Sequence, residues 1–166
     1  MQGAQPTLAD FQTYITNVMG ITSQQLSPDD PVIPLVFWTA YSIVNDRLQC
    51  IPLAPGAPST QPALYTQAVY LLAADRLLNW AQDPAGAPIY KDNLPFFAYT
   101  RAKLNLTGFV PGVIASTNDL STGGSYVVPD AFKGLTIRDL QNLKTPYGQA
   151  YLGIAQDYGP SEWGFS

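Results

Sequence analysis

Two stretches of this chain are apolar on more than one helical face, and that restricts the fold more than any other feature. From Leu35 to Leu48 the residues Leu35, Val36, Phe37, Trp38, Tyr41, Ile43 and Val44 leave almost no polar side. From about Ala63 to Gln82, Tyr65, Ala68, Val69, Leu72, Ala73, Leu77 and Trp80 form one stripe, which Leu64, Leu71 and Leu78 widen. A helix that is apolar all round is buried on several sides. Both segments therefore need covering, by other helices of the chain or by neighbouring molecules. Core packing is the expected place of Trp38 and Trp80. Ala68, Ala73 and Ala74 leave room for another helix to come close.

The remaining signals complete a mainly α chain. Thr7-Leu-Ala-Asp10 is a capping box with Thr7 as N-cap. Leu8, Phe11, Ile15 and Val18 follow at helical spacing, and Gly20 stops the helix. The second helix starts at Ser27-Pro28-Asp29-Asp30 or at Asp30-Pro31. Pro52, Pro55, Pro58 and Pro62 make residues 51–62 a stiff connector. After Gly108 the texture changes: Phe109 to Ser116 and Ser125 to Val128 are β-like runs flanking Asn118 to Gly124, as a long hairpin or an irregular projecting loop. Thr136-Ile-Arg-Asp139 is a second capping box, and Thr145-Pro146 supplies an N-cap and an N1 proline. Helices are expected near 8–19, 31–48, 63–82, 94–105 and 146–158, with a short one between 136 and 143. Read as one domain overall, residues 1–106 form a helical bundle. Residues 107–131 form the hairpin or projecting loop, and 132–166 the C-terminal helices with an extended arm.

Much chemistry is excluded. The chain has no His, so Ser–His and Cys–His nucleophile pairs and imidazole metal sites are unavailable. The lone Cys50 cannot build a zinc site or an internal disulfide and reads as a small buried hydrophobe. Gly123-Gly124 lies in no phosphate-binding frame. The Asp29/Asp30, Asp46/Arg47 and Asp75/Arg76 groups read as helix-start or helix-face charges rather than a catalytic carboxylate pair. No catalytic, cofactor-binding or metal residue is assigned, no cofactor is expected, and the chain is expected not to be an enzyme. Met1 to Thr7 lacks a basic start and an apolar run, so no signal peptide is expected there. Val32 to Val44 is too short to span a bilayer.

Assembly is the positive reading. Charged residues are 12% of the chain, about half the ordinary share, and net charge is −4. Ten Tyr, seven Phe and three Trp accompany them. Such a surface is either buried in neighbours or neutral and amide-rich. The eight Lys and Arg are scattered, which argues against gripping nucleic acid. Tyr147, Tyr151, Ile154 and Tyr158 line one face of the last helix, and Trp163 and Phe165 follow in the tail. These six residues are the expected partner-docking set, on an arm outside the main bundle. Asp46, Arg47, Asp75 and Arg76 are the expected inter-subunit charges.

The capped Leu8-Ala-Asp-Phe11 helix, the apolar second helix, the proline-rich connector and Tyr65-Thr-Gln-Ala-Val-Tyr-Leu-Leu-Ala-Ala-Asp-Arg-Leu-Leu78 together resemble the head–tail adaptors of tailed bacteriophages. Residues Phe132 to Leu152 are similar to the C-terminal part of such proteins. The 105–130 insertion and the 51–62 connector depart from that pattern. The resemblance implies a virion protein made in the host cytoplasm. It implies a homo-oligomeric ring, typically of twelve copies, between the capsid portal protein and a tail or nozzle protein. DNA would pass as cargo, and no membrane would be involved. Other readings are a different virion part, such as a tail-completion or decoration protein, and a small glycan-binding module.

Overall fold

A computed structural model describes residues 5–47, 64–108, 116–118, 123–125 and 137–158, with side chains at 5–44, 64–108 and 140–157. Its helices are α1 (Leu8–Asn17), α2 (Val32–Arg47), α3 (Leu64–Trp80), α4 (Phe96–Lys103), α5 (Ile137–Asn142) and α6 (Pro146–Tyr158). The fold is mainly helical. Two three-residue strands, β1 (Ser116–Asn118) and β2 (Gly123–Ser125), pair antiparallel with Thr117 opposite Gly124.

Local signals set the helix ends. Thr7 Oγ1 accepts the Asp10 N–H at 3.1 Å and donates to Asp10 Oδ2 at 2.8 Å, closing the first helical turn. Gly20 has φ +68°, the left-handed conformation that lets the chain leave α1. Asp30 Oδ1 accepts the Val32 N–H at 2.9 Å and opens α2, so the later of the two starts is used. The start of α4 is capped from a distance. The Asp83 carboxylate takes the N–H groups of Phe97 and Ala98, both at 2.8 Å. Helix α4 is consequently shorter than the expected 94–105.

Helix α3 is the centre. Its residues Ala68 to Leu78 are buried without interruption. Helix α2 covers one side of it and α6 another, while α1 and α4 close the remaining flanks. Phe11 of α1 stands 5.8 Å from the Phe37 ring of α2 and 5.7 Å from the Tyr70 ring of α3. Phe11, Phe37, Leu72 and Leu77 are shut from solvent. Burying a side chain of this size stabilises by roughly 1.5–3 kcal/mol.

Helix α6 corrects an expectation. It does not stand outside the bundle: it packs along α3, and Tyr151, Leu152 and Ala155 belong to the core. Tyr151 is 1% exposed. Asp75 of α3 meets Thr145 and Gly148 at that contact, and the buried face of α6 is satisfied within its own chain. Val18, expected in the α1 stripe, lies beyond the last helical residue and is exposed.

One lysine ties the C-terminal helices to α4. Lys144 Nζ, in the α5–α6 turn, donates to the carbonyl oxygens of Asn105, Leu106 and Gly108 at 3.1, 3.4 and 2.6 Å. Carbonyls past a helix C-terminus lack helical partners and favour a cation. Lys144→Met keeps the stem and removes the ammonium. It is expected to cost about 1 kcal/mol in a denaturant melt, with faster hydrogen exchange at 104–108.

Candidate functional site

Helix α2 has two apolar faces. Ile33, Val36, Phe37, Ala40 and Val44 point into the core. Leu35 and Trp38, each 56% exposed, point away from it. Together with Pro34, Thr39, Ser42 and Ile43 they line an open groove of about 540 Å³. Positions 35, 38, 39, 42 and 43 share one helical stripe. No charged side chain occurs between Pro31 and Val44. Trp38 is held edge-on between Phe37, at 5.0 Å, and Tyr41, at 5.6 Å. Its indole is therefore fixed in place before anything meets it.

A second exposed surface follows α3. Trp80 ends that helix half-exposed, with the Arg76 guanidinium 6.0 Å from its ring centre. Ile89 is 70% exposed and Tyr90 stands beside it. The Tyr90 ring meets Phe96 at 5.2 Å and Tyr99 at 5.5 Å, both edge-on. Lys91 Nζ lies 5.1 Å from the Tyr90 ring centre, and Lys103 Nζ donates to the Tyr99 hydroxyl at 3.4 Å. Arg101 is engaged elsewhere, donating to the Ala81 carbonyl and lying 4.0 Å from the Asp83 carboxylate. The result is a corner of aromatic rings edged by two ammonium groups.

Trp38 and Trp80 thus correct their expected core placement. An apolar helix seen from its sequence does not say which faces its own chain covers, and here the described residues cover α2 on one side only.

The expected inter-subunit charges divide. Asp46 and Arg47 have side chains outside the described residues. Asp75 is fully buried and accepts a hydrogen bond from the Thr145 hydroxyl at 2.6 Å, within one chain. This corrects its assignment to a subunit contact: the docking of α6 seals it in. Arg76 is also buried, apart from the edge it presents towards Trp80.

The seam around Asp75 is polar and tight. Thr145 Oγ1 donates to Asp75 and accepts the Gly148 N–H at 2.9 Å, so it caps α6 and joins it to α3 in one step. Burial raises the Asp75 pKa from 3.8 to about 6, against the opposing pull of the Thr145 hydroxyl and the Arg76 charge. A raised pKa inside a cleft can mark a catalytic acid. Here the carboxyl is shut from solvent in the seam between α3 and α6.

Of the expected docking set, Tyr151 is core, while Tyr147 and Ile154 are partly buried against it. Burial pushes the Tyr147 hydroxyl pKa up. The side chain of Tyr158 and the whole of Trp163 and Phe165 lie outside the described residues, as does Cys50. Sequence reading missed the α2 groove and the Ile89–Tyr90 corner. The outward stripe of Leu35, Trp38 and Ile43 was its available signal.

Among the described residues no group of three His, Cys, Asp or Glu side chains could hold a metal ion. Among them also, no helix is long and apolar enough to cross a membrane. Neither a protein-family model, nor a curated protein, nor a solved structure matches this chain.

Proposed function

We propose that this chain is a structural assembly protein, a virion adaptor that sits as a ring between a capsid portal and a tail. The observation that carries the reading is the outward face of α2: a rigid, charge-free apolar groove with Leu35 and Trp38 open to solvent. Exposed aromatic anchors of this kind mark protein interaction surfaces. A ring needs two different faces on each copy, and the Ile89–Tyr90 corner is a second one. The scarcity of Lys and Arg suits a duct through which DNA slides. The adaptor identity itself comes from the likeness of residues 7–82 and 132–152 to that family.

Co-sedimentation with the portal ring of the same virion tests the reading. The full chain is expected to travel with the ring in several copies. Removing residues 159–166, and with them Trp163 and Phe165, is expected to weaken that binding by roughly 30-fold or more, since one lost aromatic anchor alone costs that much. Its melting temperature should stay within a few degrees of the full chain. A full chain that never travels with the portal ring refutes the adaptor assignment.

A further inference from the structure

We propose that the α2 groove receives the Ile89–Tyr90 corner of a second copy of this chain, head to tail. The two surfaces are separate in one molecule, because α2 alone lines the groove and residues 80–103 contribute nothing to it. One copy can therefore give its corner to one neighbour while its groove takes the corner of another.

The two surfaces match in shape and chemistry. The groove is apolar, carries no charge of its own, and has room for a large side chain. The corner offers two that protrude, Ile89 and Tyr90. The charges around them differ in sign on balance. The first 46 residues contain Asp10, Asp29, Asp30 and Asp46 and not one Lys or Arg. Asp29 is exposed, Asp30 is partly buried as it caps α2, and both precede Pro34, where the groove begins. The corner carries Lys91 directly after Tyr90, the exposed Asp92 next to it, and Lys103 against Tyr99, which leaves it one positive charge in balance. Like surfaces match less well: groove against groove brings the aspartates together, and corner against corner two surfaces of net positive charge. Groove against corner sets carboxylates beside ammonium groups, which fixes register and partner choice more than affinity.

A contact between unlike faces repeats by rotation and closes into a ring or runs on as a filament. The inference thus supplies the contact for the ring proposed above, and it rests on that reading only for closure.

A mixing experiment tests it. Trp38→Asp spoils the groove and Ile89→Asp spoils the corner, and both sites are exposed enough to leave the core intact. Leu35→Asp serves as a second groove variant, with circular dichroism checking the fold of each. In sedimentation velocity the unmodified chain should self-associate, less so as salt rises. Each single variant should lose roughly 30-fold or more in association constant. An equimolar mixture of the two should regain association, but only to pairs, since one sound groove meets one sound corner. Asp29→Lys and Lys91→Glu should each weaken association, and one chain carrying both should recover. Three results overturn the proposal: an unmodified chain that stays monomeric at millimolar concentration, variants that associate like it, or a mixture that does not pair. Portal binding by a chain that fails here sinks this inference alone. Self-association without portal binding sinks the adaptor assignment alone.

Discussion

Replacing Gly148 by alanine is expected to unseat α6 and to cost about 3 kcal/mol or more. The added methyl would stand 2.1 Å from the Asn142 carbonyl oxygen and 2.8 Å from Asp75 Oδ1. The first is backbone of the last residue of α5 and the second is held by Thr145, so neither can swing aside. The helix must retreat from α3, opening the contacts of Tyr151, Leu152 and Ala155. In a thermal melt this corresponds to a fall of roughly 6–12 °C for a chain of this size. Gly153 gives the opposite sign. Nothing lies within 4 Å of its added methyl, so Gly153→Ala should stabilise by about 1 kcal/mol through helix propensity. Equal melting temperatures for the two variants would mean that α6 is not seated as described.

Stability should fall as pH rises from about 4 to about 7. Asp75 has a pKa near 6 when folded and 3.8 ordinarily. Below 3.8 it is protonated in both states and contributes no pH dependence. Between the two values the unfolded chain releases its proton while the folded one keeps it, which favours unfolding. Above about 6 both are ionised and the full desolvation penalty stands. The difference in pKa corresponds to about 3 kcal/mol. Asp75→Asn keeps an oxygen for the Thr145 hydroxyl and removes the charge. Urea melts at pH 4, 5.5 and 7 should show this contribution in the parent chain and its loss in the variant. A variant with the parent's slope over that range would place the titration elsewhere.

The helices were legible because their end signals are local. Thr7 with Asp10, Gly20, and Thr145 with Pro146 each act within a turn of chain, and each appears where the residues imply. What escaped was long-range. The Asp83 cap reaches α4 across 14 residues, and Thr145 finds Asp75 across 70. Neither spacing has a pattern a reader could scan for. The seating of α6 depends on one missing methyl at Gly148, which in the sequence is merely a glycine inside a helix. For Trp38 the limit is different: apolar residues on every side of a helix predict burial, but only the packed fold says which side the described residues leave bare.

The partnership of α3 with α6 has a consequence during synthesis. Most of the apolar surface of α3 is complete once Trp80 has been added, yet the helix that covers one flank ends only at Tyr158. At about 5–20 residues per second, the ribosome takes roughly 4–16 seconds to cover that distance. For that interval a nascent chain holds its central helix with one flank uncovered, open to chaperones or to other nascent chains. Slow translation between 81 and 158 lengthens this exposure without altering a single residue, so codon choice over that stretch becomes a determinant of yield.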